Sequence, residues 1–278
     1  MLSLNLGPLT VAFDHLVLLV ALVVASLIGG WWVRRGHVDT RTPVFNLLLA
    51  GLICARIGFV VAYWSSYQAD PWQALDVRDG GFLMAPGVLG AALAALLFAW
   101  RRPRARRPLA WSLLGGVVVW TLGGLLGHWQ VEHTRLPDLT LEDAQHRPVP
   151  LQRYAGRPLV VNLWASWCPP CRRELPVLQD ARRAYPQLTF LLVNQGETPE
   201  LLGTFLMTAG LDLSHVLFDE QGELGRQVGS GALPTTLFYD ADGRLVGSHL
   251  GELSRASLRH ALLPLLQAVP PVPDSKGP

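Results

Sequence analysis

Four apolar segments, residues 11–33, 44–64, 82–100 and 109–127, constrain this chain more than any other feature. Each is long enough to cross a bilayer, which takes about 20 mainly apolar residues in a helix. Lipid offers a backbone no water to bond, so such segments must be helices that satisfy their own N–H and C=O groups. A buried core helix is the alternative for any one of them, but four in close succession read as a membrane domain. The first is not a secretory signal: no basic residue precedes it and three more spans follow. Of 278 residues, 50% are hydrophobic and 16% charged, against about 25% charged in soluble domains. That excludes a disordered or wholly soluble protein.

Charge orients the spans. Residues 1–127 hold ten arginines and five aspartates, net +5, and the remainder is net −3. The first loop carries Arg34, Arg35 and Arg41; the third carries Arg101, Arg102, Arg104, Arg106 and Arg107. The second carries Asp70, Asp76 and Asp79 with Arg78. Short basic loops stay in the cytoplasm. Loops one and three are therefore expected inside, with loop two, both ends and the whole second half outside, in the periplasm of a bacterial inner membrane. The arginine run between two spans reads as a topology signal touching anionic headgroups. A net charge of +2 gives no support for nucleic acid. Arg56 lies inside the second span, where a charge is costly and faces protein or water. Pairing with Asp14, which with His15 lies near the outer end of the first span, is the expectation; a lipid phosphate is the alternative. Gly115, Gly116, Gly123, Gly124 and Gly127 predict close helix packing in the last span.

The second half has a different grammar. The apolar run Leu159–Trp164, rich in β-branched residues, predicts a buried strand. A helix is expected over 172–185, a strand over 188–193 and a helix over 200–209. Thr235–Tyr239 and Leu245–Leu250 read as strands around a turn, and 254–267 as a last helix with Ser254 as N-cap. The expected organisation is a membrane domain of four transmembrane helices (1–127), a polar linker (128–136), an α/β domain with a central mixed sheet (137–268) and a disordered tail (269–278).

Cys168-Pro169-Pro170-Cys171 stands where a strand meets a helix N-terminus. Helix N-termini lower a cysteine pKa, and the thiolate is the reacting species. Two intervening residues set the cysteines one turn apart, able to close an exchangeable disulfide. Pro169 suits the first helical position, where no N–H is needed. A zinc site would want two more ligands at matching spacing, and His146 and His215 do not supply it. No metal and no cofactor beyond the cysteine pair are expected.

The stretch Val161-Asn-Leu-Trp-Ala-Ser-Trp-Cys-Pro-Pro-Cys-Arg-Arg-Glu-Leu-Pro176 resembles the active-site signature of TlpA-type thioredoxin-fold disulfide reductases. The likeness extends to Leu136-Pro-Asp-Leu-Thr140 and to Gly231-Ala-Leu-Pro-Thr-Thr-Leu-Phe-Tyr239. It implies a thioredoxin-like fold, with Cys168 as nucleophile, Cys171 as resolving thiol and Pro234 as a cis-proline facing them. Trp167, Leu233 and Pro234 would border a substrate groove. Thioredoxin has a buried aspartate where Asn162 stands, and reductases of this type have a glutamate where Glu174 stands. Glu174 is therefore assigned proton traffic to Cys171, with a solvated glutamate linked to Arg173 as the alternative. Arg172 and Arg173 would favour thiolate and Glu174 oppose it.

Cys54-Ala-Arg-Ile-Gly-Phe-Val-Val-Ala-Tyr63 and Asp79-Gly-Gly-Phe-Leu-Met-Ala-Pro-Gly-Val-Leu-Gly90 resemble parts of prolipoprotein diacylglyceryl transferase. That family has a histidine where Ala85 stands, and later spans with a second essential arginine segment. The function expected is thus a membrane-anchored protein-disulfide reductase acting on extracytoplasmic disulfide-bearing proteins, with membrane lipid around it. A lipid-modifying transferase with an attached redox domain and a client-binding scaffold are the alternatives. Cys54 is the one cysteine of residues 1–127, so an internal thiol relay through that half lacks a pair. A separate transmembrane thiol reductant is the expected donor.

Overall fold

The computed structural model describes residues 3–6, 9–209 and 215–268. The expected tail at 269–278 lies outside the described residues. Ser3–Leu6 and Leu9–Ala12 pair in a small two-stranded sheet. The chain divides into two compact units, one spanning Val11–Trp129 and the other formed by the residues before Val11 together with those from Gln130 onward.

The first unit is built of α1 (Phe13–Arg34), α2 (Arg41–Ala62), α3 (Met84–Arg101) and α4 (Arg106–Glu132). All four are long and apolar enough to cross a membrane. Their burial is inverted relative to a soluble bundle. Leu19, Leu27, Ile57, Val61 and Leu96 point outward, while Ala21, Ala25 and Ala55 are buried. Lipid is as apolar as leucine, so small residues that let backbones approach take the contacts. A Cβ on Gly115 or Gly123 would strike Ile28 or Val17 of α1. Those two expected packing glycines are thus in place, whereas Gly124 faces open space. The sequence reading missed a second such seam: Gly51 of α2 lies against Gly87 of α3, and Gly90 against Cys54.

The expected linker at 128–136 is helical over its first part, since α4 continues to Glu132. Neither proline nor glycine occurs from His128 to Glu132, so nothing interrupts the backbone ladder there.

The second unit holds a seven-stranded sheet. Its elements are β1 (Thr140–Glu142), β2 (Pro148–Pro150), β3 (Leu159–Trp164), α5 (Pro169–Ala184), β4 (Thr189–Gln195), α6 (Pro199–Ala209), β5 (Val216–Asp219), α7 (Glu223–Val228), β6 (Thr235–Tyr239), β7 (Leu245–Leu250) and α8 (Arg255–Ala268). The strand order is β2-β1-β5-β4-β3-β6-β7. β3, β4 and β5 run parallel, and the rest join antiparallel. All six residues of β3 are buried, as expected of a strand covered on both faces. Val160 and Trp164 enter a core with Leu175 of α5 and Leu262 of α8; Val161 and Leu163 enter one with Leu224 of α7. Ser254 caps α8 reciprocally: its Oγ accepts from Ser257 N at 3.1 Å, and its N donates to Ser257 Oγ at 2.9 Å. The short elements β1, β2, β5 and α7 escaped the sequence reading.

Candidate active site

β3 carries the chain to the site, and β4 beside it supplies the clamp. Trp164 lies opposite Asn194 in the parallel register. That places Glu197, just past β4, under the loop leaving β3. Ser166 N donates to Glu197 Oε2 at 2.7 Å, and Ser166 Oγ to Oε1 at 2.5 Å. Asn194 Nδ2 donates to the same carboxylate at 2.8 Å. Ser166, two residues before Cys168, is thereby fastened.

Cys168 is the N-cap of α5, and Pro169 takes the first helical position. Cys171 N donates to Cys168 Sγ at 3.3 Å. That bond and the positive end of the helix both favour a Cys168 thiolate in the reduced protein. The cysteines are joined as a disulfide with Cα atoms 5.3 Å apart. The motif leads one to expect an exposed Cys168, yet only 4% of it is exposed, and none of Cys171. Cys168 packs in one core with Trp164, Ala165 and Leu175, which covers most of its surface. Cys168 is still the more exposed residue of the pair.

Glu174, one turn beyond Cys171, is wholly buried. The alternative of a solvated glutamate paired with Arg173 fails: Arg173 instead pairs with Glu252 at 2.6 Å. Glu174 Oε1 accepts from Asn162 Nδ2, and Oε2 accepts from Leu253 N at 2.9 Å. Burial pushes its carboxyl up to about 7, against the two hydrogen bonds that favour the anion. Asn162 Nδ2 also donates to Thr236 Oγ1 at 3.0 Å, while its Oδ1 is buried without a hydrogen-bond partner. An amide can donate to a carboxylate or accept from a carboxylic acid. Asn162 can thus serve Glu174 in either protonation state.

The other expected residues gather at the same end of the sheet. Leu163 pairs with Thr235, so Pro234, just before β6, lies beside the end of β3 that leads to Cys168. The Leu233–Pro234 peptide is cis, and Leu233 packs against both cores. Trp167 is 68% exposed beside Cys168, a rim position. Trp164 is buried, with its ring 5.7 Å from that of Phe205. Arg172 stacks over Phe205, its Cζ 5.5 Å from the ring centre. Among the described residues, Glu142, His146 and Glu220 could together reach a metal ion, but all are exposed, and His146 already bonds Glu142 and Glu200.

In the membrane unit Arg56 is 8% exposed. It pairs with Asp79 at 2.8 Å, not with Asp14 as expected. It also donates to the carbonyls of Ala74, Gly81, Gln73 and Asp76, at 2.6 to 3.3 Å. The loop between α2 and α3 folds back over the guanidinium and supplies the acceptors that lipid lacks. Asp79 is held in turn by Gly81 N at 3.1 Å and Tyr67 OH at 3.4 Å.

Comparison with known proteins assigns both halves. Residues 133–248 match the AhpC/TSA family, and residues 2–155 match the prolipoprotein diacylglyceryl transferase family. The thiol-disulfide oxidoreductase ResA of Geobacillus thermodenitrificans is 30% identical over 128 residues, 45% of this chain and 73% of that one. The chain belongs to the AhpC/TSA family in its C-terminal half and to the prolipoprotein diacylglyceryl transferase family in its N-terminal half. The second unit is thus a thioredoxin-like thiol-disulfide oxidoreductase domain fused to a membrane domain. A phosphatidylglycerol–prolipoprotein diacylglyceryl transferase of Paraburkholderia phymatum is 35% identical over 111 residues, 37% of each chain. A solved thiol:disulfide interchange protein from Chlorobium tepidum aligns with TM-score 0.42 and 25% identity, over 48% of this chain and 96% of that one.

Within the oxidoreductase domain, sequence reasoning missed Glu197, Asn194 and Thr236. The signal available was the polar group Asn194-Gln-Gly-Glu197 at the carboxyl end of a parallel strand, the edge where sites of open α/β sheets gather.

Proposed function

We propose that this membrane-anchored oxidoreductase reduces disulfides in proteins outside the cytoplasm of a bacterium. The supporting observation is the asymmetry of its cysteine pair: Cys168 caps the helix and keeps some exposure, and Cys171 has none. The Cys168 thiolate attacks one sulfur of a substrate disulfide, and the other substrate sulfur leaves as a thiolate. The Cys171 thiolate then attacks Cys168 Sγ. The substrate's remaining sulfur is released, and the Cys168–Cys171 disulfide forms, so two electrons pass to the substrate. Glu174, with its carboxyl near 7, takes the proton that Cys171 must lose before it attacks. Trp167, Leu233 and Pro234 border the groove where the substrate chain lies.

Pro169 and Pro170 offer no side-chain charge or N–H to stabilise the reduced thiolate, which supports a reductant over an oxidant. Re-reduction falls to a separate transmembrane thiol reductant, because Cys54 is the one cysteine of residues 1–127. In cells, Cys168 is expected to be mostly reduced, and to become oxidised when that reductant is deleted. A Cys168 found mainly oxidised in normal cells, in a protein that efficiently oxidises reduced substrates, would reverse the direction. Alkaline phosphatase is expected to be active when fused after Gly127 and inactive when fused after Arg104. The opposite pattern would place the thiols in the cytoplasm.

A further inference from the structure

At the end of the membrane unit where α1 runs into α2 and α3 into α4, the two basic loops border a half-open cavity of about 420 Å³. His37, with its two neighbours, lines one side; Arg104, Arg106 and Arg107, between Pro103 and Pro108, line the other. Arg106 is partly held, its Nε donating to Ala99 O at 2.9 Å. Arg104 and Arg107 have no ion pair among the described residues. Asp39, the one acid at this end, is closed on Arg41 at 2.7 Å. The first turn of α4, a helix of 27 residues, borders the same space, so its positive end adds to the guanidinium charge.

Three tryptophans fix the depth of this cavity. Trp31 in the last turn of α1, Trp100 at the end of α3 and Trp111 near the start of α4 are all exposed. Arg35 lies over the Trp31 ring at 3.8 Å. Tryptophans facing outward at helix ends mark the headgroup layer. A cationic cavity at that depth meets lipid phosphates before any soluble anion, and basic pockets between spans hold anionic headgroups. We propose that this cavity is a binding site for the phosphate of an anionic phospholipid headgroup, with Arg104 and Arg107 as its principal ligands.

The full chain, purified in detergent and stripped of lipid, tests this by native mass spectrometry with added phosphatidylglycerol, phosphatidylcholine or inorganic phosphate. Phosphatidylglycerol is expected to bind in preference to phosphatidylcholine. Its affinity should fall about 25-fold in Arg104→Gln/Arg107→Gln, or about fivefold per arginine. The control Arg34→Gln/Arg101→Gln removes the same charge outside the cavity and should weaken binding several-fold less. Unfolding temperatures without lipid separate lost ligands from lost fold. Arg104→Lys/Arg107→Lys, which keeps the charge, should restore most of the binding. Equal weakening by both glutamine pairs, equal binding of the two lipids, or displacement by inorganic phosphate at matched concentration would each overturn the proposal. Binding in detergent is independent of which way the chain crosses the membrane, so the topology test and this one fail separately.

Discussion

Replacing Glu174 by glutamine separates the cost of burying a carboxylate from what that carboxylate does. Burial raises the carboxyl from 4.5 to about 7. Between those values the unfolded chain carries a carboxylate while the folded protein keeps the proton, so the native state binds more protons than the unfolded one. Stability then falls as pH rises, by about 1.4 kcal/mol per pH unit. The contribution is fully present below about 4.5 and lost as pH rises through about 7, where the accumulated loss is about 3 kcal/mol. Glutamine stays neutral throughout. It can accept from Leu253 N and donate to the Asn162 Oδ1 that lacks a partner. Urea unfolding of the oxidised C-terminal unit, wild type beside Glu174→Gln, is the assay. The variant should gain about 3 kcal/mol on the wild type between about pH 4 and pH 8. A difference that stays flat within about 1 kcal/mol would refute the burial reasoning. The same substitution removes proton transfer at Cys171. Insulin reduction should therefore slow on the order of 10²-fold and lose its inflection near pH 7.

Cys171→Ser should accumulate mixed disulfides through Cys168 and Cys168→Ser should not; equal trapping on non-reducing gels would contradict the assigned roles. Glu197→Ala removes the acceptor for Ser166 N, Ser166 Oγ and Asn194 Nδ2. It should cost about 2–3 kcal/mol in urea unfolding and slow disulfide exchange, with Glu197→Gln milder in both. Arg56→Met leaves Asp79 buried without its guanidinium and should cost about 3–5 kcal/mol. That loss would appear as a lowered unfolding temperature in detergent, and adding Asp79→Asn should recover part of it.

The sequence by itself determined whatever depends on runs and periods along the chain. Four apolar stretches set four spans, because lipid leaves no other way to satisfy a backbone. The β-branched run Leu159–Trp164 set the central strand, and the cysteine pair after it set the reactive helix end. The clustered glycines of the last span, at Gly115 and Gly123, announced where α4 meets α1. These signals are local, and a few turns of chain contain them.

What the tertiary structure decided is which polar group each buried charge meets. Glu174 reads equally well as a surface residue until Leu253, 79 positions later, and Asn162 close over it. Glu197 becomes the clamp on Ser166 because β4 lies parallel to β3 in one particular register. Arg56 chose Asp79 over Asp14 because the following loop folds back to bring carbonyls and a carboxylate to it together. A buried ion is tolerated only when its bonding sites are filled at hydrogen-bond distance. Which groups can reach it depends on strand register and helix packing, and neither is written in the residues on either side of the charge.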